Sequence, residues 1–303
     1  MTKDLYIFDV LPFIHAGCVN RFARLEKTIC TGVTWQTLRI PCGGISLIFN
    51  ELYAIVGTGD CVFCTDRNPT IKKDMYSGYK GNRDHDNNIT ILRTVAEYIL
   101  EKCGGTVIAR AGYEADDIIY TIVQKLHDQY DNIYIYTGDS DLYFLVDKKV
   151  SIRPSSSRAK AVDFYNYNQV LAKKGAIYNS LTVQKILKGD TSDCIPSLPR
   201  DVQDKLANVL FQKAMLPQLG DKQFVRSWVS SICPEALPQV DLVFPLDVED
   251  IPLEFGKLDP YLIRNFGSAM HNKMFRGMSD PDFMIGPYVD EMINNGCYLE
   301  DTQ

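Results

Sequence analysis

The sequence has no apolar run near the roughly 20 residues of a membrane-spanning helix, so an integral helical membrane protein is excluded. It has no internal repeat and no low-complexity segment, which excludes a repeat architecture. A regular cysteine pattern is also missing, because the nine cysteines are irregularly spaced and Cys61 and Cys64 form a C-x-x-C pair without the second pair of a zinc site. The N-terminal residues show no signal-peptide layout. We therefore expect a soluble, cytoplasmic protein with reduced thiols and no membrane partner.

Charge is segregated along the chain. The formal net charge is −6, yet segment 148–188 has nine basic residues against one acidic residue, a net charge of +8 that leaves −14 on the rest. Segment 67–83 carries +4. Such segregation is typical of a basic track for a polyanion beside an acidic metal site, although each segment alone is better explained by solvated helix faces. The residues of the first segment that we expect to bind nucleic acid are Lys148, Lys149, Arg153, Arg158, Lys160, Lys185 and Lys188.

Apolar periodicity divides the chain into two parts. In the first 150 residues, β-type runs alternate with helical patterns, which predicts an α/β fold with a mostly parallel sheet flanked by helices. The predicted strands are Leu5–Val10, Cys61–Thr65, Thr106–Ala109, Ile133–Tyr136 and Val150–Arg153, and the predicted helices are Gly44–Val56, Ile89–Cys103 and Ala115–Leu126. After about residue 165 helices are predicted at Asn168–Lys173, Leu181–Leu187, Val202–Phe211, Gln223–Ser231 and Leu258–Phe275. We therefore expect a catalytic-type domain over residues 1–188 and a helical domain over residues 189–303.

Acidic residues recur where the predicted strands end. Seven of them follow strands and two follow a predicted helix: Asp9, Asp66, Glu114, Asp116, Asp117, Asp139 and Asp141, then Asp190 and Asp193. The carboxyl ends of parallel strands share one edge of a sheet, so these side chains are expected to converge. Two like charges about 4 Å apart repel by roughly 1 kcal/mol even in water. Such a site must be protonated or hold cations, and carboxylates without nearby His or Cys favour two Mg²⁺ or Mn²⁺ ions, a common device for phosphodiester hydrolysis.

Each acidic block has a simpler structural explanation when it is taken alone. Residues 113–117 can place acids at a helix N-terminus, where the helix dipole favours them. Residues 138–141 can form an ordinary turn, and residues 188–193 can end one helix and cap another. The metal interpretation therefore depends on the repeated placement of acids at the same end of successive strands.

Six segments resemble the 5′-nucleases, a family of 5′→3′ exonucleases and flap endonucleases. The resemblance is closest to the phage-type enzymes described as RNase H or 5′-exonuclease, which remove RNA primers at replication forks. The segments are Tyr6–Asp9, Phe63–Asp66, Tyr79–Arg83, Glu114–Asp117, Gly138–Asp141 and Gly189–Pro196. They span roughly the first two-thirds of the chain, and their order and spacing make the match specific.

The resemblance implies a PIN-like domain with a helical arch at about residues 67–90, followed by a helical duplex-binding domain. It implies one divalent ion, Mg²⁺ or Mn²⁺, held by Asp9, Asp66, Glu114 and Asp116, and a second ion served by Asp117, Asp139, Asp141, Asp190 and Asp193. Lys80 and Arg83 match the family's basic catalytic pair, which contacts the scissile phosphate at the base of the arch. Lys72 and Tyr76 fall where the arch carries a basic and an aromatic residue for nucleic acid.

Two segments depart from the family pattern. His15 stands near the place of an arginine that follows the first aspartate, and a histidine pairs with phosphate only when it is protonated. Residues 197–203 lack the glycine-rich hairpin that lets backbone approach phosphate and a monovalent cation. We therefore expect a weaker phosphate contact at His15, no K⁺-type site and an altered grip on duplex.

The expected function is that of a divalent-metal-dependent 5′→3′ exonuclease and 5′-flap endonuclease that acts on DNA or RNA–DNA hybrid during primer removal. The expected partners of this monomer are branched or 5′-ended duplexes and replication-fork proteins. Two alternatives remain open: a structure-specific DNA-binding protein without turnover, and a PIN-type endoribonuclease for single-stranded RNA. The complete acid set argues against the first, and the chain length and the block 189–196 argue against the second.

Overall fold

The computed structural model describes residues 2–18, 24–31, 34–41, 43–82, 87–154, 165–166, 169, 180–212, 220–265 and 290–291. Its strands are β1 Asp4–Asp9, β2 Arg24–Thr31, β3 Thr34–Pro41, β4 Asp60–Arg67, β5 Thr106–Ala111, β6 Asn132–Thr137 and β7 Val150–Pro154. Its helices are α1 Val10–Cys18, α2 Gly43–Ile55, α3 Ile71–Met75, α4 Asn87–Lys102, α5 Ala115–Leu126, α6 Ser180–Lys188, α7 Arg200–Gln212, α8 Lys222–Ile232 and α9 Leu237–Val243. None of these helices combines the length and the apolarity needed to cross a bilayer.

Five parallel strands form the main sheet in the order β5-β4-β1-β6-β7. This confirms the predicted parallel sheet with flanking helices. From β1 the chain moves outward through β4 and β5 on one side, and then through β6 and β7 on the other. Ligand sites of open α/β sheets form at the carboxyl ends of the strands beside such a reversal point. The carboxyl end of β1, where Asp9 stands, is therefore the expected location of a site.

Alternating side chains of the central strand build two cores. Leu5 and Ile7 of β1 face the cluster that contains α5, whereas Tyr6 and Phe8 face the cluster that contains α1, α2 and α4. These β1 side chains are buried, and burying an apolar side chain of this size contributes roughly 1.5–3 kcal/mol. Because both faces are covered, the position of the strand ends is held from two sides.

An antiparallel hairpin of β2 and β3 lies between α1 and α2 in the sequence, where no strand was predicted. Most of the other predicted boundaries agree with the structure within a few residues. The predicted helix Asn168–Lys173 and most of the predicted helix Leu258–Phe275 lie outside the described residues.

Helices α6 to α9 share a third apolar cluster that includes Val183, Leu206, Val225 and Phe244. After α9, residues 244–259 form a return segment that runs back along the sheet domain. The backbone N–H of Leu246 donates to Asp117 at 2.7 Å, and the backbone N–H of Val248 donates to the Thr121 hydroxyl at 3.0 Å. The return segment therefore connects the helical part to α5, and the division at residue 188 stays a prediction.

Candidate metal centre

The inner part of the site consists of Asp9, Asp66 and Asp116, carried by β1, β4 and α5. Asp9 is only 4% exposed, and its Oδ2 accepts a hydrogen bond of 2.8 Å from the Thr137 hydroxyl. The Oδ1 of Asp66 accepts a hydrogen bond of 2.7 Å from the backbone N–H of Ala115, at the start of α5. Neighbouring elements thus fix these carboxylates at one edge of the sheet, as their positions after the strands predicted.

The crowding of these carboxylates shifts their pKa values. Burial, together with the charges of Asp66 and Asp139, raises the pKa of Asp9 to about 8. Burial also raises the pKa of Asp116 well above its ordinary value, helped by Asp139 and Asp9. Both groups therefore resist ionisation until a cation compensates their charge, which is the electrostatic signature of a cation site.

Glu114 stands at the N-terminus of α5 and receives an unusual number of donors. Lys72 Nζ lies 3.1 Å from its Oε2, the Tyr79 hydroxyl donates to the same oxygen at 2.9 Å, and Lys80 Nζ pairs with its Oε1. Burial alone would raise the pKa of Glu114, but the two ammonium groups lower it to about 2. Glu114 is consequently ionised at all physiological pH values.

The burial of Lys72 differs from its predicted exposure to nucleic acid. The resemblance placed it among the nucleic-acid-binding residues, but the structure buries it to 5% exposure between Glu114 and Asp117, 3.3 Å from Asp117 Oδ1. A buried lysine that is paired with two acids is not available to a flap on the surface. Charge in the sequence cannot show which side of the short helix α3 faces inward.

Asp117 also differs from the prediction, which assigned it to the second ion. It is completely buried, its Oδ2 accepts from Glu114 N at 2.9 Å in a capping box, and its Oδ1 accepts from Leu246 N at 2.7 Å. Both of its oxygens are therefore engaged in holding α5 and the return segment. This environment favours a structural role over metal ligation.

The outer part of the site consists of Asp139, Asp141, Asp190 and Asp193. Asp139 caps the 3₁₀ turn after β6 by accepting from Asp141 N at 2.8 Å. Carboxylate oxygens of Asp141, Asp190 and Asp193 all lie within 4.8 Å of one another. Lys185 of α6 pairs with Asp141 and, at 2.5 Å, with Asp190.

The loop that carries Asp190 and Asp193 depends on Gly189. This residue has a φ of +75°, and a Cβ here would lie 2.3 Å from the carbonyl oxygen of Ile195. Asp190 and Ile195 close the loop with reciprocal backbone hydrogen bonds of 2.9 and 2.8 Å. The backbone N–H of Lys80 donates to the carbonyl oxygen of Asp193 at 2.9 Å, which joins the loop to the segment that follows α3.

Six carboxylates and three lysines line one pocket. The acids are Glu114, Asp116, Asp139, Asp141, Asp190 and Asp193, and the lysines are Lys72, Lys80 and Lys185. With all of them ionised, the lining has a formal charge of −3, and the buried Asp9 and Asp66 make the region more negative. An all-carboxylate donor set with this excess charge fits hard divalent ions such as Mg²⁺ or Mn²⁺.

Residues 35–175 match the family model of the 5′-3′ exonuclease N-terminal, resolvase-like domain. The match contains Asp66, Glu114, Asp116, Asp139 and Asp141, five of the acids of the site. The model covers 141 of the 303 residues, so this part of the chain is similar to the N-terminal domains of 5′-3′ exonucleases.

Two relatives show how much of the chain is similar to curated proteins, and how much of each relative it matches. DNA polymerase I of Caldicellulosiruptor bescii is 33% identical over 145 residues, which cover 47% of this chain and 17% of the polymerase. The 5′-3′ exonuclease of Bacillus subtilis is 28% identical over 179 residues, which cover 57% of this chain and 60% of the exonuclease. The chain thus corresponds to less than a fifth of that polymerase.

Solved structures with the same fold include the T5 D15 protein co-crystallised with metal ions, with a TM-score of 0.51 and 12% identity. The T5 5′-exonuclease with bound zinc ions has a TM-score of 0.51 and 13% identity. Each comparison covers 96% of this chain and 99% of the T5 chain. At this identity the likeness shows that the chain and the T5 proteins share a fold.

Among the residues that the structure describes, the predicted basic track does not form one continuous surface. Lys148 and Lys149 precede β7 and lie at the amino edge of the sheet, opposite the pocket, and Lys149 Nζ donates to the His127 and Tyr130 carbonyls at 3.2 and 3.3 Å. Arg153 pairs with Glu51 of α2 at 3.0 Å. Net charge along a segment does not specify which edge it reaches. These three residues are therefore poor candidates for contacts beside the site.

The remaining predicted contacts have mixed outcomes. Lys80 and Lys185 lie in the pocket, and Lys188 is exposed at the end of α6. Tyr76 packs against Tyr79 and its apolar neighbours, so its half-buried ring has a packing role. The predictions for Arg83, Arg158 and Lys160 lie outside the described residues.

A buried polar cluster behind Asp66 was missed. Glu97 accepts from the Thr65 hydroxyl at 2.9 Å and from Arg67 at 3.0 Å, and Arg93 Nε lies 3.3 Å from it. Arg93 also donates to the backbone oxygen of Asp66 at 3.0 Å. The spacing of Arg93 and Glu97, four residues apart on one helix, was the available sequence signal. The cluster supports the backbone that carries Asp66.

Proposed function

We propose that the chain is a divalent-metal-dependent 5′-nuclease that hydrolyses phosphodiesters at 5′ ends and 5′ flaps of DNA or RNA–DNA hybrid. The observation that carries this proposal is the pocket with six carboxylates, set at the carboxyl edge of a 5′-nuclease sheet, with Lys80 in its wall. The shared fold with the metal-bound T5 proteins supports it. Primer removal at a replication fork is the proposed role, and the polymerase activity of the longer relatives is not part of it.

The proposal assigns the inner cation to Asp9, Asp66, Glu114 and Asp116, and the outer cation to Asp139, Asp141, Asp190 and Asp193. Bound Mg²⁺ or Mn²⁺ would supply Lewis acidity for the attack of water on phosphorus and for the charge of the leaving oxygen. Asp117 is omitted from this ligand set, because α5 and the return segment occupy its oxygens.

Lys80 is the proposed phosphate contact. Its side chain is 16% exposed, its ammonium reaches Glu114, and its backbone is held by Asp193. When the carboxylate of Glu114 is shared with a cation, the ammonium can donate to a non-bridging phosphate oxygen, where it offsets the charge that develops during transfer. Arg83 is proposed as its partner on grounds of the family pattern alone.

The test measures release of product from a 5′-labelled flap with titrated Mg²⁺, using wild type, Asp66→Ala and Asp139→Asn. Glu254→Gln serves as the control, because Glu254 is an exposed acid of the return segment. We expect metal-dependent cleavage by wild type and the control, and at least a 100-fold loss in both aspartate variants, consistent with the usual contribution of a charge-stabilising group.

Four results would reject the proposal. Cleavage that does not depend on metal, or equal rates in all variants, would contradict the assigned site. Tight flap binding without cleavage would favour the DNA-binding alternative. Faster cleavage of unstructured RNA than of flap DNA in direct competition would favour the endoribonuclease alternative.

A further inference from the structure

Lys185 lies inside the outer acidic cluster instead of on a nucleic-acid-binding surface. Its ammonium is 2.5 Å from Asp190 Oδ2 and also contacts Asp141 Oδ2. The helix that carries it is anchored on its other side, because Val183 and Ile186 of α6 are buried in the third apolar cluster. The position of Lys185 is therefore set by packing as well as by charge.

The two aspartates present these same oxygens to the ammonium because their surroundings orient them. Asp190 Oδ1 accepts two hydrogen bonds from Ser192, one of 2.9 Å from its backbone N–H and one of 2.5 Å from its hydroxyl. The other oxygen, Oδ2, therefore faces Lys185. The backbone N–H of Asp141 donates to the carboxylate of Asp139, which fixes the position of Asp141. Asp141 and Asp190 are two of the three acids whose oxygens lie within 4.8 Å of one another. An ammonium group thus sits where these acids converge.

We propose that Lys185 is a built-in counter-ion of the outer site, which a divalent cation must displace when it binds. The inference rests on the proposed function, because it concerns the same outer ligands. Lys185 stabilises the metal-free site by neutralising Asp141 and Asp190, and it lowers the affinity of the outer site by competing for those oxygens. The inner site, where Lys185 makes no ion pair in the described structure, keeps its affinity.

The direction of the effect follows from Coulomb's law. A positive charge near a divalent ion repels it at any dielectric constant, and the repulsion is stronger in a poorly solvated site than in water. Removing the ammonium also releases two carboxylate oxygens for the ion. We therefore expect the outer ion to bind at least tenfold more tightly when Lys185 is made neutral.

The experiment titrates metal-free protein with Mn²⁺ and measures free Mn²⁺ by electron paramagnetic resonance, without substrate. Lys185→Gln is compared with Lys188→Gln, which removes the same charge from an exposed position on the same helix. We expect two classes of ion in wild type, a weak class that tightens at least tenfold in Lys185→Gln, and a change of less than threefold in Lys188→Gln.

Lys185→Arg and thermal melting in EDTA give further readouts. The arginine variant keeps the charge, so its weak class should bind no more tightly than in wild type. Lys185→Gln should melt at a lower temperature than wild type in EDTA, because Asp141 and Asp190 repel each other, and Mn²⁺ should raise its melting temperature more than that of wild type. If Lys185→Gln does not fold, the arginine variant carries the test.

Unchanged or weaker outer binding in Lys185→Gln would overturn the inference, as would tenfold tighter binding in Lys185→Arg. These failures are distinguishable from failure of the proposed function. The Mn²⁺ titration needs no turnover, so a chain that cleaves flaps normally but shows no change in Lys185→Gln would refute only the counter-ion role.

Discussion

Replacing Lys72 with methionine keeps a long side chain in the buried space beside α5 but removes the ammonium that pairs with Glu114 and Asp117. Both acids are buried, with 4% and 0% exposure. Glu114 then keeps Lys80 and Tyr79 as partners, and Asp117 keeps the backbone N–H groups of Glu114 and Leu246. The two buried carboxylates thus lose one of the two ammonium groups that compensate them, and Asp117 loses its lysine partner.

The expected loss of stability is about 3–5 kcal/mol, the range for removing one partner of a buried ion pair. Screening by solvent gives little discount, because Lys72 is only 5% exposed. The matched control is Lys73→Met, one residue further along α3, where the side chain is partly exposed and a change within about 0.5 kcal/mol is expected. Lys72→Arg should recover part of the loss by restoring the charge.

Urea unfolding in EDTA, followed by circular dichroism, measures these differences. A loss below about 1 kcal/mol for Lys72→Met, or an equal loss for Lys73→Met, would refute the assignment of a buried pair and would return Lys72 to the set of surface contacts.

Two further predictions concern Asp9 and the loop that carries Asp190. Burial raises the folded-state pKa of Asp9 to about 8, above an unfolded value of about 3.9, so the metal-free protein should lose stability as the pH rises between these values. Mg²⁺ should therefore raise the melting temperature more at pH 8 than at pH 6, and an equal increase at both would contradict this. Gly189→Ala should cost at least about 1–2 kcal/mol, because φ is +75° and the new Cβ meets Ile195 O at 2.3 Å. It should also weaken Mn²⁺ binding, and wild-type affinity in that variant would show that the loop does not position Asp190.

The acids at the ends of β1, β4 and β6 could be located from sequence because two local signals coincide there. Each acid follows a short apolar β-run, and parallel strands necessarily bring their carboxyl ends to one edge. The side chains of Asp9, Asp66 and Asp139 needed no knowledge of distant packing to be placed together.

Other features depended on tertiary contacts that leave no local trace. Lys72 and the partly exposed Lys73 are adjacent lysines, and only the packing of α3 against α5 decides that the first is buried. Asp117 looks like a ligand beside Asp116, but the return segment, more than 120 residues away in sequence, occupies one of its oxygens. Lys148 and Lys149 contribute charge to the same segment as Lys185, yet the direction of β7 places them at the opposite edge of the sheet.

We propose that acids from distant parts of the chain form a site for divalent cations. Crystals grown with Mn²⁺ and measured for anomalous scattering test this site by locating the ions. We expect Mn²⁺ peaks between Asp9, Asp66, Glu114 and Asp116, and between Asp139, Asp141, Asp190 and Asp193. A map with ordered carboxylates and no peak among them would contradict it.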